Sequence, residues 1–92
     1  MKRIFKYPLQ VTDSQEVTLP VNSKILSVQN QNEEIVLYAL VDDKIVITRK
    51  RRIIIHGTGH EADDTVDCNF IGTVSMHGSR LMFHVFERRI CT

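Results

Sequence analysis

Apolar residues in this chain alternate with polar ones over short runs, and no segment repeats them at the spacing of an amphipathic helix. Alternation sends successive side chains to opposite faces of an extended backbone, so each run reads as a half-buried strand. Phe5, Tyr7 and Leu9 fall on one face of a first strand, with Lys6 and Pro8 opposite. Pro8 has no N–H to give a ladder, which places this strand at an edge or its end at a terminus. Val17 and Leu19 flank Thr18 in a second strand, stopped by Pro20. Residues 24–29 and 35–41 form a hairpin across Asn30-Gln31-Asn32-Glu33, whose residues tolerate turn conformations. The run Ile35-Val36-Leu37-Tyr38-Ala39-Leu40-Val41 is apolar on both faces, which predicts a central strand. Asp42-Asp43 turns the chain into a strand at 44–48, and another covers about 51–56. Gly57 to Asp64 is the long polar loop, and residues 70–76 pair with 80–87 across His77-Gly78-Ser79. A short helical turn fits only near Asp13–Glu16 or Asp63–Asp67.

Six to eight short strands with tight turns predict a mainly β fold, either a small antiparallel β-sandwich or a partly open barrel. Ninety-two residues hold one core, so a single β-rich domain over 1–92 is expected. The 42% apolar and 25% charged fractions are ordinary for a globular chain. The longest apolar runs fall far short of the roughly 18–20 residues that span a bilayer, and the basic opening has no apolar stretch behind it. Cys68 and Cys91 lack CxxC spacing and are expected to be reduced thiols in a cytoplasmic protein.

Twelve Lys and Arg stand against eleven Asp and Glu, for a formal charge of +1. A protein that coats long nucleic acid carries a broad basic excess, because phosphate contacts dominate its affinity. Here the excess is local, at Arg49-Lys50-Arg51-Arg52 and Arg88-Arg89. That pattern suits one positive patch. On an alternating strand the four basic residues at 49–52 divide between two faces. They form a solvated edge, a phosphate-binding wall or an interface with an acidic protein.

Gly57-Thr58-Gly59-His60 is the most suggestive local feature. Two glycines around a hydroxyl let backbone amides converge on an anion, with Thr58 and His60 as further donors. The plainer reading is a turn that needs its glycines. The loop matches neither the P-loop nor the dinucleotide fingerprint. His56, His60, His77 and His84 do not combine with the cysteines at metal-ligand spacings, so no metal and no cofactor are expected. His84, within Phe83-His84-Val85-Phe86, reads as a satisfied, partly buried histidine. Ser75, Ser79 and Cys68 have no nucleophile motif around them, and catalysis is not expected.

The segments ILSVQNQN, LYALVD, IHGTGH and FIGTVSMHGSRLMFHVFE resemble a group of small bacteriophage-encoded proteins of unknown function, and the resemblance covers almost the whole chain. Its most specific points are GTGH, the IGT at 71–73 and the FHVFE at 83–87, while the basic 50–52 stretch and the QNQNEE turn are this copy's own. The resemblance implies phage origin and carries no settled activity. For a small non-enzyme of a phage it leaves three tasks: sequestering a cyclic nucleotide signal of host defence, inhibiting a host protein through a β-edge or acidic loop, or serving in assembly. The first would use Arg51, Arg52, Gly57, Thr58, Gly59 and His60, with Tyr38 or Phe70 as a wall for the base. A small domain has few deep clefts, so a homo-oligomer in the host cytoplasm is expected, with the site between protomers.

Overall fold

The computed structural model describes residues 1–88. Cys91 and Arg89 lie outside the described residues. Seven strands follow in order: β1 (Lys2–Leu9), β2 (Ser14–Pro20), β3 (Lys24–Gln31), β4 (Glu34–Asp42), β5 (Thr48–Gly57), β6 (Cys68–Met76) and β7 (Leu81–Arg88). One 3-10 turn, Asp63–Thr65, interrupts the loop after β5. The strands make two antiparallel sheets, ordered β1-β4-β3 and β2-β5-β7-β6, which stack as a β-sandwich without closing into a barrel.

The core lies where the alternation predicts it. Along β4, Ile35, Leu37, Ala39 and Val41 all point inward and are buried. Leu37 sits between Tyr7 of β1 and Val28 of β3 in the ladder, so β4 is the central strand of its sheet. Ile53 and Ile55 of β5, Val74 and Met76 of β6 and Val85 of β7 meet this layer from the other sheet. Pro8 sits on β1, which among the described residues is an edge strand paired with β4 alone.

Two local departures from the sequence expectation have clear causes. Residues 44–48 and 51–56 are not two strands; a single β5 begins at Thr48 and runs to Gly57. Ile45, Val46 and Ile47 are a β-branched run of the kind that favours strands, yet this segment carries the chain from one sheet to the other. Among the described residues its hydrogen bonds are those of the turn from Asp42 and the Val21 N–H donating to the Ile47 carbonyl at 2.9 Å, and Val46 and Ile47 are exposed. The first hairpin turn is also tighter than expected. Asn30 and Gln31 stay in the ladder, and Asn32 and Glu33 make a two-residue turn with φ of 55° and 64°. Both values are left-handed, as the mirror-image turn that matches strand twist requires.

The sheets come together along one side, where edge strands β3 and β6 run side by side in the same direction. A Cβ added to Gly72 would come within 3.1 Å of the Val28 side chain, so glycine sets the approach. Further along, the Asn30 amide donates to the Ser75 carbonyl at 2.8 Å, and the His77 N–H donates to the Glu33 carboxylate at 2.9 Å. That N–H holds Glu33 below its ordinary pKa, against an opposing effect of desolvation. Because the folded-state value is depressed, the stabilisation is present at neutral pH and is lost as pH falls through the carboxylate range. Urea midpoints measured from pH 7 to pH 3 should therefore fall less steeply for Glu33→Gln than for the parent protein. Equal acid sensitivity of the two proteins would contradict the linkage.

Candidate functional site, an arginine-lined cleft

Below this closed stretch β3 and β6 part, and each carries a β-bulge at the point of parting. Leu26 is the extra residue in β3, between Ile25 and Ser27, and Ile71 is the extra residue in β6, between Phe70 and Gly72. Bulges bend a strand and interrupt its ladder, and they recur beside functional sites. Here they face each other across an opening with two arms. One arm, about 440 Å³, is lined by Arg49, Arg51 and Arg88 with the Pro20-Val21-Asn22 turn. The other, about 350 Å³, is lined by Ser23, Lys24, Ile25, Leu26, Phe70 and Ile71. Arg51, Asn69 and Glu87 line both and form the floor between them.

The ladder explains this convergence. On β5, Arg49 and Arg51 lie opposite Leu19 and Val17 of β2, and so share the inner face with Ile53 and Ile55. Opposite Ile53 on β7 stands Glu87, and opposite Glu87 on β6 stands Asn69. Beyond Ile53 the apolar filling stops and the inner face continues as charge. Arg51 and Glu87 form a two-pronged ion pair that leaves only 15% and 12% of their side chains exposed. Arg51 Nε donates to one carboxylate oxygen and Nη2 to the other at 3.0 Å, while Nη1 donates to the Ser23 carbonyl at 2.9 Å. Among the described residues, Arg49, Arg88 and Lys24 have no ion-pair or hydrogen-bond partner. Among the described residues the cleft therefore carries an excess of positive charge; Phe70 borders one arm, and its exposed ring tilts against Phe86 at 5.4 Å.

Of the eight residues marked from the sequence, Arg51 and Phe70 line this cleft. Arg52 points to the opposite face of β5, where it donates to the Ser14 hydroxyl at 3.0 Å and lies 3.8 Å from Glu16. Gly57 to His60 close the far end of β5, six residues on from Arg51 and hence roughly 20 Å away. There the His60 ring covers Gly57, and His60 N–H donates to the Gly57 carbonyl at 3.2 Å. The Thr58 hydroxyl bonds His84 Nε2 at 2.8 Å, and Thr73 bonds His84 Nδ1 at 2.9 Å. Gly59 takes the left-handed φ of 87° that the turn needs. Tyr38 faces outward from the other sheet and donates to Gln31 at 3.0 Å.

Glu87 was not marked from the sequence, and Arg49 and Arg88 entered only as members of basic clusters, Arg49 within a candidate phosphate-binding wall. The basic clusters at both ends of the 49–88 interval were visible, but only the pairing of β5 with β7 brings them to one opening. On the outer face, His56 and Asp64 pair at 2.7 Å, which fastens the 3-10 turn over β5. Among the described residues no group of three or more His, Cys, Asp or Glu is arranged to hold a metal ion, and no helix is long and apolar enough to cross a membrane.

Fold and cleft together define a seven-stranded β-sandwich with an anion-attracting opening between its sheets. The chain belongs to the DUF7352 family, a domain of unknown function, which it matches over residues 1–90. No curated protein and no solved structure matches it.

Proposed function

We propose that this protein binds a small, multiply charged nucleotide in the arginine-lined cleft and holds it chemically unchanged. The observation that carries the reading is the convergence of Arg51 with Arg49 and Arg88, both unpartnered among the described residues, on one opening whose second arm is bordered by Phe70. Arginine matches phosphate oxygens with paired N–H donors, and an aromatic face stacks on a base. No histidine lines either arm, and the one carboxylate there is engaged by Arg51, which favours retention over acid–base chemistry. The phage resemblance supplies a setting: sequestration of a cyclic nucleotide signal of host defence, in the host cytoplasm, by a homo-oligomer.

The test is a thermal-shift screen against linear and cyclic mono-, di- and trinucleotides, followed by titration of any hit. A ligand specific to the folded state raises the melting temperature by mass action. Arg49→Ala and Arg88→Ala break no ion pair of the fold. Each should weaken binding by about ten-fold or more, as the loss of a hydrogen bond to a charged group would. Unchanged affinity in both variants would rule the cleft out. A flat screen would favour the second reading, inhibition of a host protein through the β1 edge, where Ile4 is 60% and Phe5 45% exposed.

A further inference from the structure

We infer that Glu87 is a resident competitor in the anion site, and that it restricts the cleft to ligands presenting at least two phosphate groups. The inference rests on the nucleotide-binding reading above and concerns which nucleotides the site admits. A carboxylate offers a guanidinium the same planar pair of oxygens that a phosphate does, so Glu87 holds Arg51 as a bound phosphate would. The fork is fully engaged: Nε and Nη2 both donate to Glu87. Yet Arg51 does not depend on Glu87 for its place. Nη1 is tied to the Ser23 carbonyl at 2.9 Å, so the guanidinium stays in the floor of the cleft when the carboxylate leaves. A guanidinium has five N–H hydrogens, and these three bonds leave two of them without an acceptor among the described residues.

Selectivity follows from charge. A ligand that takes Arg51 must displace one carboxylate and then sit beside it. A single phosphodiester brings one negative charge and gains nothing over the group it replaces. A ligand with a second phosphate reaches Arg49 and Arg88 at the same time, and those two arginines surrender no partner. The ligand class is therefore a nucleotide with two or more phosphate groups, such as a cyclic di- or trinucleotide or a nucleoside polyphosphate. Cyclic mononucleotides are excluded.

Calorimetric titration of the parent protein and Glu87→Gln with inorganic tripolyphosphate and with 3′,5′-cyclic AMP tests this. Glutamine keeps the shape and one acceptor for Arg51 while removing the competing charge. The parent should bind tripolyphosphate and not cyclic AMP, and Glu87→Gln should bind tripolyphosphate about ten-fold more tightly or better. Binding by the parent with no gain in the variant would overturn the role of Glu87 and leave the cleft intact as a site. No binding by either protein would sink the cleft and this inference together. A second readout needs no variant: the Arg51 Nε–H resonance of the parent should move on adding tripolyphosphate. If it stays fixed while binding is seen, the ion pair persists and the inference fails.

Discussion

Leu37→Ala should destabilise the protein by about 3–5 kcal/mol, the upper part of the range for a buried leucine. Leu37 has no exposed surface and lies midway along the central strand of the three-stranded sheet. Its ladder neighbours Tyr7 and Val28 fix the strands on both sides, and the isoleucines of β5 belong to the same cluster. A cavity at such a place cannot collapse without moving two ladders, so most of its cost is retained. At this chain length each kcal/mol lowers the melting temperature by roughly 4–8 °C. Urea unfolding checks the value, and a loss below about 1 kcal/mol would contradict the position given to β4.

The second large effect is at Arg51. Glu87 is 12% exposed beside Arg51, so Arg51→Ala leaves a largely buried carboxylate without its guanidinium and should cost about 3 kcal/mol, near the lower edge for breaking a buried pair because solvent reaches the gap. The double variant Arg51→Met, Glu87→Leu removes both charges and extends the apolar floor beyond Ile53. It should recover most of the loss, since well-packed apolar residues replace buried pairs at little cost. A double variant as unstable as the single one would show that the pair is worth more than its desolvation. The same double variant should lose any polyphosphate binding, which separates the folding role of this floor from its binding role.

The sandwich was legible in the residues because burial follows strand alternation directly. Ile35, Leu37, Ala39 and Val41 could be assigned to one face before any partner strand was known. Turn chemistry was legible for the same reason: Asn32 and Gly78 take the left-handed φ that their residue types favour. Glu33 and Ser79 take it too, without such a preference, which is why the edges of the turns were less certain than their existence. The site was harder to read. Arg49, Arg51, Glu87 and Asn69 form one floor because β5 pairs with β7 and β7 with β6, and register is a property of the assembled sheet. Local pattern drew attention to Gly57-Thr58-Gly59-His60, where the Thr58 hydroxyl bonds His84 and the His60 ring packs over Gly57. The GTGH feature is conspicuous as a motif and occupied as a structure. Arg49 and Arg88 are plain in sequence and unpartnered among the described residues.

The seam between β3 and β6 has a mechanical consequence. It is fastened at its turn end, by Asn30 on Ser75 and Glu33 on His77, and it diverges at the bulges of Leu26 and Ile71. The two strands thus form a pair of jaws pivoting on the turn end, with a lever arm of roughly 20 Å from Glu33 back to Leu26. A tilt of a few degrees at the pivot changes the gape at the lips by an ångström or more, by lever geometry alone, while the ladder within each sheet is left untouched. Any widening over Arg51 works against the bond from Arg51 to the Ser23 carbonyl and against the core contacts that the two sheets share.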